Sequence, residues 1–226
     1  MAALGTMTMR SARPASNGFT LVEVLVALAV MAMMAAMAWQ GVDAIVRARD
    51  ASQQRVEATL RLNMVIGQWE QDLASLQDTK RVPQLHFDGA TLRLTRRAAG
   101  GIQLVAWALR DDGTGGVLQR WASPAVTTRA ELQDIWLRSQ QFQGQEAGQL
   151  RTLDGLSSWQ IYYYRAPDNA WSNAQSSAGG AETGTAQGGA GTPAAQALPS
   201  AIRLVLEFAD SGANTGNLTR DTLLGP

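Results

Sequence analysis

From Phe19 to Trp39 every residue is apolar, small or hydroxylated except Glu23. At about 1.5 Å of rise per residue, a helix of that length spans roughly the hydrocarbon thickness of a bilayer, so residues 19–39 are predicted to form a transmembrane helix. The helical period does not stop there. Val42, Ile45, Val46, Val56, Leu60, Met64, Leu73 and Leu76 keep returning at helical spacings, and no proline interrupts the chain between Phe19 and Lys80. Residues 40–78 therefore read as a continuation of the same helix beyond the membrane. Its middle, 47–58, is polar on most faces, and its last turns, from Leu62 to Leu76, are amphipathic. A polar middle stands in solvent or packs on other helices, whereas the amphipathic end has a core-facing stripe of its own.

From Pro83 the period changes from helical to alternating. Leu85-His86-Phe87, then Asp88-Gly89, then Thr91 to Thr95 predicts a hairpin. A second pair, Ile102–Leu109 and Val117–Trp121, is joined by a turn rich in Asp and Gly. Residues 128–143 fit a short helix as well as a strand and loop. Trp159–Tyr164 and Ile202–Phe208 are the most strand-like runs and are expected at the sheet centre. Between them, 172–197 is nearly free of large apolar residues and reads as a disordered insertion. The residues after Ala209 are expected to fray. The fold class is thus α+β: a long N-terminal transmembrane and amphipathic helix packed on a β-rich head spanning 79–226.

Composition narrows the function. Lys+Arg and Asp+Glu both number 19, so there is no basic excess for nucleic acid. Cysteine is absent, which removes disulfides and thiolate metal sites. The single histidine, His86, lies in a predicted strand, and Asp111-Asp112-Gly113 sits where a hairpin needs a turn and lacks the spaced oxygen ligands of a calcium loop. Met31, Met33, Met34 and Met37 fall within the lipid span, where methionine is ordinary filler. No nucleophile elbow, phosphate loop or zinc-protease motif is present. The expectation is no enzyme, no cofactor and no metal. Residues 1–18 carry Arg10 and Arg13 and no acid, which reads as a disposable basic leader. Its charge keeps the N terminus cytoplasmic and sends the head outward.

Glu23 needs a reason, because an ionisable side chain in such a helix costs on the order of 2.5–3.5 kcal/mol even on insertion-based scales. The order basic tail, Gly18, Phe19-Thr20-Leu21-Val22-Glu23 resembles the processing signal of the type IV pilin and type II secretion pseudopilin superfamily. That resemblance implies cutting by a prepilin peptidase between Gly18 and Phe19, N-methylation of Phe19, and Glu23 as the assembly carboxylate. Physically, cleavage leaves an α-amine at the membrane edge, and a carboxylate one turn along can neutralise the amine of a neighbouring subunit. A competing reading is a conventional signal peptide cut after Ala36-Met37-Ala38, releasing a soluble secreted binding protein. The long tail, the charge within the apolar run and the sequence Gly18 to Glu23 stand against it.

Later runs narrow the resemblance. Trp69-Glu70-Gln71-Asp72-Leu73, Val105–Leu109, Leu118-Gln119-Arg120, Trp159–Arg165, Trp171 and Leu198–Leu204 are similar to the J-type minor pseudopilins of type II secretion. The resemblance implies a single-pass protein of the bacterial inner membrane with a periplasmic head. Its implied partners are the I-type and K-type minor pseudopilins, the prepilin peptidase, inner-membrane lipid and the type II secretion assembly platform. A minor pilin of a type IV pilus is the alternative within the superfamily. Val56, Leu60 and Met64 offer an apolar stripe for a partner.

Overall fold

The computed structural model describes residues 18–225 except 114, 143, 145, 166–168, 174–197 and 211–213. The leader, up to residue 17, lies outside the described residues, as does most of the 172–197 insertion. Helix α1 runs from Leu21 to Ala74, ending short of the expected boundary at 78. Thr20 precedes its first turn. The Glu23 amide donates to the Thr20 hydroxyl at 3.3 Å and to the Thr20 carbonyl at 3.1 Å, so a threonine cap starts the helix. The chain divides into two compact units, one ending at Ser52 and the other beginning at Gln53.

In the first unit the described residues are the N-terminal part of α1, and every one of them is exposed. That is the expected surface of a helix whose apolar side chains meet lipid rather than protein.

The second unit is the head. Among its described residues are β1 (Leu85–Phe87), β2 (Thr91–Ala98), β3 (Gly101–Asp111), β4 (Gly116–Ala122), α2 (Arg129–Ser139), β5 (Leu150–Arg165), β6 (Ala170–Asn173), β7 (Ala201–Phe208) and β8 (Gly216–Leu223). These strands form one antiparallel sheet in the order β1-β2-β3-β4-β5-β7-β8, with β6 pairing the end of β5. The end of α1 lies on one face of it. Val65, Trp69 and Leu73, four residues apart, are buried there against Leu92, Leu94, Trp107, Ile161, Ile202 and Leu204. Trp69 meets Trp107 edge-on, with ring centroids 5.7 Å apart. On the opposite face α2 buries Leu132, Ile135 and Trp136 against Leu104 and Val82. The architecture is the α+β fold the sequence implies.

Several local readings change. The ambiguous 128–143 stretch contains helix α2, started by Thr128, whose hydroxyl accepts from the Glu131 amide at 3.3 Å. β5 begins at Leu150, well before Trp159, and Gly155 at φ 74° sits next to its register shifts. This glycine inside the strand marks a bulge. β5 and β7 pair along most of their length, but β7 is one strand from the edge rather than central. Ser172 and Asn173, assigned to the insertion, belong to β6. The tail does not fray: β8 pairs β7 from Gly216 to Leu223, and Leu224 is buried beyond it.

Candidate assembly and anchoring site

The residues singled out for processing lie just ahead of helix α1, and those singled out for assembly lie on it. Gly18 and Phe19 precede the first turn of α1, both exposed, and among the described residues nothing beyond its chain neighbours lies within 4 Å of where a Gly18 Cβ would stand. Glu23 is the acid of that turn and is also exposed. With Thr20 it forms the Thr-x-x-Glu pattern of a capping box, a signal that sequence reading passed over while treating Glu23 as a charge in search of a partner. An acid here also meets the positive end of the helix dipole. Neither local role removes the carboxylate from the surface, so it stays open to a second chain.

In the head unit, Val56, Leu60 and Met64 are exposed to 55%, 56% and 69%. They recur every four residues, on the side of α1 away from the buried Val65, Trp69 and Leu73. The stripe therefore does not pack on this protein's own sheet.

The residue that sequence reading missed is Asp72, which is fully buried. Its carboxylate accepts from Trp107 Nε1 at 2.9 Å, from Arg120 Nε and Nη2 at 2.8 and 2.9 Å, from Arg96 Nη1 at 2.7 Å and from Gln68 Nε2 at 2.9 Å. Both oxygens are used, and the donors come from α1, β2, β3 and β4, so one acid ties the helix to three strands. Arg96 is itself held by Gln103 Oε1 at 3.0 and 2.7 Å. The signal was available: Asp72 shares the helical face of Trp69, Leu73 and Leu76, where an unpaired acid is not tolerated. This cluster joins the end of α1 to β2, β3 and β4 through hydrogen bonds to a buried carboxylate.

The remaining candidates have structural surroundings. His86 is half-buried in β1, edge-on to Trp136 with centroids 5.6 Å apart, and burial, followed by the nearby Arg93, lowers its pKa. Asp111 accepts from the Gly113 amide at 2.8 Å within the predicted turn. No group of acids and histidines suited to a metal is present among the described residues. Asp88 is pushed up by burial, but the Arg93 guanidinium and the Thr91 and Ala90 amides outweigh this and hold its pKa below the usual carboxylate value.

The apolar portion of α1 is long and hydrophobic enough to cross a membrane, with a mean hydropathy of 2.4 over its best window, and fits a membrane anchor. A comparison with curated proteins gives no match. Residues 13–39 match the model of the prokaryotic N-terminal methylation motif, a structural pilin-type motif and not an enzyme family. A match over the stretch that holds Gly18, Phe19 and Glu23 indicates a type IV pilin-like protein.

Proposed function

We propose that this chain is a J-type minor pseudopilin of type II secretion, anchored in the bacterial inner membrane with its head in the periplasm. In this reading a prepilin peptidase cuts after Gly18 and methylates Phe19. The protein then joins I-type and K-type minor pseudopilins in a tip complex that starts pseudopilus assembly on the inner-membrane platform, for export of folded proteins across the outer membrane. The observation that carries it is the methylation motif at 13–39 on a helix whose far end packs on an antiparallel sheet. The exposed Val56, Leu60 and Met64 supply a surface for neighbouring helices. The motif is shared with type IV pili, so a minor pilin is the second reading. The test has two parts. Mass spectrometry of the membrane form should show methylated Phe19 as the first residue, and Gly18→Val, which adds bulk before the cut, should retain the leader. Purification with I-type and K-type partners should give a three-protein complex. An N terminus other than Phe19 would overturn both readings, and no complex would overturn the first.

A further inference from the structure

One side of α1 stays apolar for about two turns past Trp39. Val42, Ile45, Val46 and Arg49 stand at i, i+3, i+4 and i+7, so they share a face of the helix. Gln40, Ala44 and Arg47 repeat at the same kind of spacing on the opposite side, and Asp43 pairs with Arg47. All of these residues are exposed, and among the described residues of the unit ending at Ser52 nothing covers the apolar side. Arg47 is thus taken up by Asp43, while Arg49 closes the apolar side with its guanidinium exposed. The lengths match a bilayer with its headgroups. From Leu21, where α1 begins, to Arg47 the helix rises about 39 Å, against roughly 40–45 Å for the hydrocarbon core with both headgroup layers. With the start of the helix at one surface, the opposite headgroup layer falls on the turns from Val42 to Arg47. A helix that is half apolar and half polar belongs in such a layer, with acyl chains on one side and water on the other.

We infer that residues 39–49 are a docking surface for the phospholipid headgroup layer, met with α1 leaning toward its apolar side. Val42, Ile45 and Val46 then rest on the acyl boundary, Arg49 reaches a lipid phosphate, and Asp43 with Arg47 faces water. The inference rests on α1 being the membrane anchor of the function proposed above, and adds which side of the helix the membrane meets. A partner helix is the rival occupant. The apolar side, however, continues the lipid-facing surface without a break, starts beside the tryptophan expected at the interface, and closes on a guanidinium within the depth of one headgroup layer. Lipid charge is not what is recognised, because Asp43 and Asp50 balance Arg47 and Arg49. Depth is set by the apolar side chains and by phosphate, which neutral and anionic phospholipids share. An upright helix places all its sides at depths that follow chain order. For a helix about 10 Å across, a lean of about 20° sets opposite sides about 3 Å apart in depth, more than the rise of about 1.5 Å between neighbouring residues. Chain order and depth order therefore part company between Ala44 and Ile45.

The test is spin labelling of the full-length chain in liposomes, one introduced cysteine at a time, which the absence of native cysteine makes clean. Depth is read as the ratio of collisions with oxygen, which concentrates in lipid, to collisions with a water-soluble nickel chelate. Labels at Val42→Cys and Ile45→Cys should give a ratio at least two-fold above that at Ala44→Cys, although Ile45 follows Ala44 in the chain. The order should be the same in phosphatidylcholine alone and in its mixture with phosphatidylglycerol. Adding Val42→Gln and Val46→Gln should cancel the lean, so that the Ile45 label becomes shallower than the Ala44 label. Ratios that fall evenly from Val42 to Arg47 in the otherwise unaltered chain would overturn the inference and leave the anchor standing, provided that labels at Leu25 and Val30 still report lipid. Labels at Val42 and Ile45 shielded from both reagents would overturn it in favour of a partner helix. An order seen only with phosphatidylglycerol would overturn it in favour of recognition by charge. Water contact at Leu25 and Val30 as well would remove the membrane anchor, and the proposed function with it.

Discussion

Two carboxylates on one helix are treated in opposite ways. Asp72, near the C-terminal end of α1, is sealed from solvent and satisfied entirely within the chain by Trp107, Arg120, Arg96 and Gln68. Glu23, in the first turn, is exposed, and its backbone is capped by Thr20. A charge buried with all its donors supplied in cis holds a fold together, and removing one member of such a set leaves an uncompensated charge. A charge left uncompensated at the start of an apolar, lipid-length helix is a cost the folded subunit does not recover by itself. The contrast separates what makes the head stable from what would make it assemble.

The largest expected effect lies at the buried end. Asp72→Ala strands the guanidinium groups of Arg96 and Arg120 and should destabilise the head by about 3–5 kcal/mol, the usual cost of breaking a buried ion pair. Asp72→Asn keeps shape and part of the hydrogen bonding and should lose less. Denaturant unfolding followed by tryptophan fluorescence measures both. If Asp72→Ala melts within a degree of wild type, the cluster is not what joins α1 to the sheet.

At the other end, Glu23→Leu should leave head stability unchanged and insert at least as well as wild type, since removing a charge from an apolar helix favours lipid. Exoprotein secretion should fall at least ten-fold if an adjacent subunit's amine needs this carboxylate, as a charged-partner loss of about 1.4 kcal/mol or more implies. Normal secretion by a processed, inserted Glu23→Leu would reduce Glu23 to its local role at the helix start.

Much of this division is legible in the sequence. The change from a helical to an alternating period near Pro83 separates the helix from the sheet, and the hairpins at 85–95 and 102–121 appear as β1 with β2 and β3 with β4. What failed had physical causes. The sequence marks a strand only over Trp159–Tyr164, yet β5 begins at Leu150 and runs through Gly155 at φ 74°, where it changes partners from β4 to β7. β8, with its Gly, Asn and Asp, has little strand propensity beyond its two threonines, and the ladder to β7 supplies what the residues do not. Asp72 escaped notice because its donors are distant in sequence: Arg96, Trp107 and Arg120 converge on it only after three strands align. Glu23 stood out because nothing near it in sequence could hide it.

A smaller effect concerns the stripe between the two acids. Leu60→Glu replaces an exposed side chain far from the buried cluster, so stability should stay within about 0.5 kcal/mol of wild type. Association with the I-type and K-type partners should nevertheless weaken, because a carboxylate then sits between Val56 and Met64 in the apolar stripe proposed to meet a partner helix. Analytical ultracentrifugation of the three proteins together reads the change. Unaltered association would place the contact elsewhere on the head.

The smallest expected effect separates the head's own acid sensitivity from that of assembly. His86 is the chain's single histidine, and cysteine is absent, so few other groups change charge between pH 7.5 and pH 5. Burial beneath Trp136, and then Arg93 directly across the β1–β2 ladder, favour the neutral imidazole, while Asp88 opposes them; the net shift is downward. The unfolded chain, with an ordinary histidine near pH 6.5, therefore binds more protons than the folded one across this window. Stability from this site is complete above the unfolded value and is lost as pH falls through the lowered folded value. Asp88, Asp78 and Asp221 shift in the same direction, but from a reference of 3.8, so they act only at stronger acidity. The melting temperature should be slightly lower at pH 5 than at pH 7.5, and His86→Gln, at the edge and remote from Asp72, should flatten that difference. An equal fall in the variant would mean that protonation of some other group loosens the head.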